Sequence, residues 1–465
     1  MSQQHQVVER EQGLERKLTQ AQLTMIGLGG AIGTGLFYGS GFAVGMAGPG
    51  VLLSYLIAAV AALIMMGALS EMAVAHPTAG SFGAYAEMYL GPFAGWSVRY
   101  TYWFCQVIAI GGEVIAASIY MQYWFPAIPS VIWMLAFSAV LVYVNAMSVA
   151  NFGIFEYWFA MIKVSAIILF IIAGGSFLLG IGVVPLGFAN LTAHGGFMPM
   201  GFNGIWMAVL MAIFSFVGVE VIAVTSGEAK NPEVAVPRAM RSMVLRLILF
   251  YVVSMTIMLC VVPWTEAGGK VSPFVQVFSN IGIPYAAGVM NFVVLSAALS
   301  SMNTNLYLTS RMMFSLARGN YAPSPFGKLS KNGTPVNALL ISTLGIALAV
   351  ILQKLGENSA YLYAFGVALF GALFVWIMIL ISFFAFRAKR EKEGAAPLSF
   401  RMPLHPFLPA LGILLLGAIM VTFYFHDFFR VGIYSGIAWM CLMVISYQLW
   451  GRKQLKENSQ ISTQV

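Results

Sequence analysis

Long apolar runs, separated by short polar stretches, repeat along the chain from residue 20 to residue 450. Twelve can be read: 20–47, 49–75, 93–124, 129–149, 153–180, 201–227, 239–263, 284–317, 335–354, 358–387, 405–426 and 430–450. Most exceed the roughly 20 residues that a helix needs to cross a bilayer. The pattern therefore predicts an all-α integral membrane protein with twelve transmembrane helices. Residues 1–19 and 451–465 read as polar tails, with Gly13–Leu18 as a short interfacial segment. Residues 20–387 read as the core, 388–404 as a charged linker, and 405–450 as a closing helical hairpin.

Two runs are not uniform. The first carries glycine at 27, 29, 30, 33 and 35, and each mid-helix glycine costs about 1 kcal/mol against alanine. Close helix packing is one explanation. The other is a deliberate break, because irregular backbone survives in hydrocarbon only where it lines a cavity or is buried in protein. The sixth run is interrupted at Phe214–Glu220 and closed by Thr225–Pro232. Runs one and six hold equivalent places if 20–180 and 201–387 are two five-helix units. Interrupted segments at matching positions of two halves point to a transporter's central site, so the break is the preferred reading. The repeat rests on hydropathy and position, since the halves share no plain sequence identity.

Composition sharpens this picture. The chain is 60% hydrophobic and 9% charged, with mean hydropathy +0.85, against about 25% charged residues in an average globular protein. Of the 24 Lys and Arg residues, all but Lys163, Lys270, Lys354 and Arg430 fall on one side of a twelve-span topology. The positive-inside rule then predicts both termini in the cytoplasm, in the cytoplasmic cell membrane. Scattered between helices, these charges form no basic domain, which argues against a nucleic-acid partner. Cys105, Cys260 and Cys441 lie far apart in apolar runs, so neither a disulfide framework nor a metal site is expected, and no cofactor. The polar opening residues suggest no cleaved signal.

Run three contains Glu113, run five Lys163 and run six Glu220. A charge at the bilayer centre costs about 2.5–3.5 kcal/mol or more, so it faces a cavity or a partner. A buried Lys–Glu pair that only locks helices is one reading, an ion or proton pathway the preferred one. Residues 76–96, rich in Gly, Pro and aromatics, suggest a re-entrant or interfacial segment. Glu71 and Glu87 at its edges are read as helix-end carboxylates meeting amides or Arg99.

The segments GLERKLTQAQLTMIGLGGAIGTGLF, SEMAVAHPTAGSFGAYAEMYLGP, EYWFAMIKVSAIILF, FSFVGVEVIAVTSGEAKNPEVAVPRA and SRMMFSLARGN resemble bacterial amino acid permeases of the amino acid–polyamine–organocation superfamily. The resemblance implies a five-plus-five inverted repeat, helices 1 and 6 broken, alternating access, and uptake of amino acids with protons. It also implies that the substrate α-carboxylate meets the break at Gly33, Thr34 and Gly35, with Ile32 among the substrate-binding residues. The α-ammonium would meet carbonyls at Ala31, Phe214 and Val217, with Phe214 as an aromatic lid. Glu220 corresponds to an acidic position linking site and gate. Lys163 corresponds to a lysine standing near Gly29 in place of a sodium ion, and Glu113 joins it as a coupling candidate.

A neutral amino acid is the preferred substrate. Cationic or GABA-like substrates, and exchange in place of symport, stay open. A channel would want rings of like polar residues, and a membrane enzyme metal-spaced His or paired carboxylates, whereas His5, His76, His194, His405 and His426 lie in loops or tails. A non-transporting sensor that keeps the site remains a further alternative.

Overall fold

The computed structural model describes residue 7 and residues 18–78, 80–180, 187–230, 232–267, 272–281, 285–353 and 357–452. The regular elements among these residues are helices, with twelve crossings whose boundaries follow local chemistry. Crossing 1 starts at Thr19, whose hydroxyl accepts from the Gln22 amide at 3.3 Å while the Gln22 side chain accepts from the Thr19 amide at 3.0 Å. Two orphan donors are thus satisfied reciprocally. The crossing runs as Gln20–Ala31 and Ser40–Ala47, joined by a wide turn over Gly35–Gly39. Gly48, at φ +59°, and Pro49 reverse the chain into crossing 2, Val51–Ala75.

Crossings 3, 4 and 5 are Pro92–Gln122, Ser130–Met147 and Val149–Leu179. Crossing 6 comprises Gly201–Phe214 and the short Val221–Val224, followed by a tight turn, Thr225–Glu228. Crossing 7 is Pro232–Val261, crossing 8 Ala286–Arg318, and crossing 9 Val336–Ser342 with Leu344–Leu352. Crossing 10 is Glu357–Lys392, crossing 11 Phe407–Thr422 and crossing 12 Asp427–Ser446.

Crossings 1 and 6 are both broken, as the glycine pattern predicts. The halves also invert. A short helix, Ser81–Leu90, links crossings 2 and 3 on the side bearing most Lys and Arg, here the basic side. Its counterpart, Pro273–Ile281, links crossings 7 and 8 on the opposite side. Crossings 3 and 8 occupy matching places in the two halves and pack against one another.

Several boundaries differ from the hydropathy reading. Residues 81–90, expected as a re-entrant or interfacial segment, form a regular helix buried in protein from Ser81 to Met88. Helix formers can continue there because Gly91, at φ +100°, makes the turn into Pro92. Crossing 10 continues to Lys392, so the first residues of the expected linker are helical. The helix Pro273–Ile281 is too short for a span window to detect. Of the interfacial segment expected over Gly13–Leu18, only Leu18 lies within the described residues, and the tail from residue 453 lies outside them. His426, at the turn between crossings 11 and 12, is half-buried against Phe429 at 4.9 Å, and that burial lowers its pKa below the usual histidine value.

Buried ion pairs on the basic side tie these elements together. Glu87 accepts from Arg99 at 2.7 Å, and Glu71 accepts from Arg387 at 2.7 Å and from the Met402 amide at 2.8 Å. Both carboxylates thus meet the partners expected of helix-end acids. Glycine permits the closest helix approaches: a Cβ on Gly345 would overlap the Val107 carbonyl of crossing 3. Gly345→Ala should therefore lower the apparent Tm of the purified protein, since overpacking costs about 1–3 kcal/mol. Gly175→Ala, with nothing within 4 Å of its Cβ, should leave it unchanged in the same melting experiment.

Candidate functional site

The two breaks meet. Crossing 1 leaves its α-helical path at Ile32, where ψ is 84°. The amides that begin the next segment, from Thr34 on, have no preceding turn to bond. Crossing 6 turns through Ser215–Glu220 with Gly218 at φ +103°. A Cβ on Gly218 would lie 2.6 Å from the Gly30 carbonyl, and one on Gly35 would lie 3.1 Å from the Ser215 Cα. Bare backbone therefore faces bare backbone. The Tyr251 hydroxyl stands 3.0 Å from the Ala31 carbonyl and 2.7 Å from that of Ser215, bridging both breaks from crossing 7.

Lys163 fills the back of the crossing 1 break. Its ammonium donates to the carbonyls of Gly29 and Ile32, the latter at 2.9 Å, and to Ser300 Oγ at 2.8 Å. Ser300 donates in turn to Glu156, which also accepts from Asn303 at 2.9 Å, and Asn303 accepts from Asn145 at 2.7 Å. Lys163 and Glu156 are fully buried. An ammonium on inward-turned carbonyls occupies the place where a bound cation would neutralise the same oxygens. Among the described residues no group of three or more His, Cys, Asp or Glu side chains is arranged to hold a metal.

On the other side of crossing 1 lies a cavity of about 20 Å³, roughly one water and far less than an amino acid. Ala31, Gly33, Gly35, Phe214 and Val217 line it, with Glu113. Glu113 Oε1 accepts from Ser301 at 2.8 Å, and Oε2 has no hydrogen-bond partner. Four expected residues do not form its wall. Ile32 and Lys163 lie behind it. Thr34 accepts from the Tyr361 hydroxyl at 3.3 Å. Glu220 accepts from Tyr102 at 2.9 Å and from the Gly218 amide at 3.1 Å, so it braces the crossing 6 break from behind. The expected ammonium acceptors are also partly engaged: the Phe214 carbonyl accepts from the Val217 amide at 3.0 Å, and Ala31 meets Tyr251.

Hydropathy reading misses Gln106, Ala109, Ser301 and Asn305, which share the wall with Gly30 and Gly218, and Glu156 with Ser300 behind it. Helical spacing was the available signal. Gln106 lies seven residues before Glu113, and Glu156 seven before Lys163, which places each pair on one helix face.

Side-chain and backbone contacts lie on both sides of the cavity. Away from the basic side, Phe214 packs on Phe365 at 4.0 Å and Tyr38 on Tyr361 at 5.0 Å. On the basic side, Leu18 pairs with Ala229 through hydrogen bonds of 3.0 and 3.1 Å to Glu228 and Lys230. Glu228 also accepts from Tyr307 at 2.7 Å and pairs with Arg311 at 3.1 Å, all three buried.

Comparison with known proteins fits this geometry. The chain matches the amino acid permease family over residues 22–460. It is 41% identical over 456 residues to the gamma-aminobutyric acid permease of Bacillus subtilis strain 168, covering 97% of this chain and 96% of that protein. It is 38% identical over 443 residues to the probable threonine/serine transporter YbxG of the same organism, covering 94% and 95%. The aromatic amino acid transport protein AroP of Shigella flexneri is 37% identical over 435 residues, covering 93% and 95%.

Gly218→Ala should separate the two breaks, because the positive φ and the Gly30 carbonyl both exclude a side chain. The expected outcome is loss of saturable amino acid uptake together with a lower Tm, read on the reconstituted protein beside Gly175→Ala as the silent control.

Proposed function

The chain belongs to the amino acid permease family, and from that premise we propose that it is a proton-coupled symporter importing neutral amino acids by alternating access. Amino acid transport across a membrane, in a multi-pass bacterial permease and not an enzyme, comes with the family. Coupling ion, substrate and orientation are this reading's own. The relatives' names span gamma-aminobutyric acid, threonine/serine and aromatic amino acids, so family membership leaves the side chain open.

The observation that carries proton coupling is the Lys163 ammonium on the carbonyls of Gly29 and Ile32 with Ser300. A sodium-coupled site would want those oxygens free for the metal. Here a lysine holds the break closed while charged, and loss of its proton would release two carbonyls and a hydroxyl together. Glu113, Glu156 and Glu220 are buried in the same core around that single cation. Protons are the means of balancing such a surplus of carboxylates in a low dielectric. The substrate zwitterion would set its carboxylate on the amides near Gly33–Gly35 and its ammonium toward the crossing 6 carbonyls, between opposed half-helix ends. The basic side faces the cytoplasm in this reading, with both termini there.

A cationic substrate is the second reading, favoured by the unpaired Oε2 of Glu113. It predicts that lysine or arginine outcompetes neutral amino acids.

In proteoliposomes, an inward proton gradient should drive accumulation of a labelled amino acid mixture without sodium. Lys163→Ala should lower gradient-driven uptake at least tenfold and leave counterflow, which needs no net proton movement, within about threefold. Unchanged gradient-driven uptake in that variant would remove the lysine from the coupling step.

A further inference from the structure

We infer that the side-chain end of this cavity is built for an uncharged hydrogen-bonding group, a hydroxyl or a carboxamide, read by Gln106 and Asn305. The inference rests on the permease reading of the same cavity and adds the class of side chain it accepts.

Asn305 lines the cavity, is 8% exposed, and its carboxamide makes no hydrogen bond among the described residues. Gln106 lines it from crossing 3, is 4% exposed, and meets only the Tyr102 hydroxyl, which is itself engaged with Glu220. A carboxamide has two donors and two acceptor sites. Two such groups with spare capacity face one small cavity, and an apolar group seated against them would displace their water and leave that capacity unmet. A substrate that supplies the missing partners meets it. One that presents only methylenes leaves both amides unpaired.

The arrangement along the helices separates head group from side chain. Crossing 3 runs away from the basic side and crossing 8 toward it. Ser301 holds Glu113 beside Gly33, at the crossing 1 break. Gln106 lies two turns from Glu113 along crossing 3, about 10 Å, and Asn305 lies one turn from Ser301, about 6 Å, both toward the basic side. The acid thus stands at the head-group end, and the two amides share the other end across the small side chain of Ala109. A long cationic side chain running to this end meets carboxamides, not a carboxylate. A bulky aromatic or branched aliphatic side chain meets the same amides with nothing to offer them.

The test measures uptake of labelled serine, threonine, asparagine, glutamine, leucine, phenylalanine and lysine separately, in proteoliposomes under an inward proton gradient. At least one of the first four should show a kcat/KM ten or more times that of leucine, phenylalanine and lysine. Asn305→Leu and Gln106→Leu should each cut that ratio at least tenfold, and Asn305→Ser, which keeps a hydrogen-bonding end, should retain most of it. Equal or better uptake of leucine, phenylalanine or lysine by the unmutated protein overturns the inference while leaving the permease reading intact. So does an unchanged ratio in the leucine variants. Uptake of none of the seven overturns both.

Discussion

Backbone polar groups freed inside a membrane must find partners, and this requirement governs the centre of the molecule. Breaking crossing 1 at Ile32 exposes carbonyls that water would satisfy in a soluble protein. Here Lys163 and Tyr251 take that role from crossings 5 and 7, and Ser300 of crossing 8 accepts from Lys163. The cost of an unpaired group in hydrocarbon is several kcal/mol, so these side chains fix where crossings 5, 7 and 8 sit relative to the break. The break is therefore not a local defect in one helix. It sets the register of three others.

Around that centre the polar groups fall into two kinds. The pairs Glu87–Arg99 and Glu71–Arg387 join helix ends on the basic side and hold the frame. Glu228 with Arg311 and Tyr307, beside the backbone pairing of Leu18 with Ala229, instead joins the lower pieces of the two broken crossings to crossing 8. Opening a path from the cavity to the basic side would require these last contacts to separate. The aromatic pairs of Phe214 with Phe365 and Tyr38 with Tyr361 stand in the other path.

How much of this was legible in the sequence depends on scale. Twelve apolar runs and two interrupted ones are visible because lipid imposes a length and forbids loose backbone. Glu113, Lys163 and Glu220 stand out because charge in an apolar run is rare. Glu156 was as buried as Lys163 but sat near the start of its run, where a carboxylate reads as interfacial. Gln106, Ser301 and Asn305 were hidden for a different reason. Neutral polar residues are frequent in membrane helices, and only their convergence across crossings 3 and 8 distinguishes them. The expected role of Glu220 changed as well: it braces the crossing 6 break through Gly218 and Tyr102 and does not line the cavity.

Where Gly30 and Gly218 face each other there is no side chain to exchange. Point mutation at that junction can only add bulk, and added bulk forces the two crossings apart. The walls from crossings 3 and 8 carry ordinary side chains whose replacement leaves that junction alone. A transporter of this design can therefore retune what it carries by drift on one pair of helices, while the moving joint stays outside the reach of gradual change.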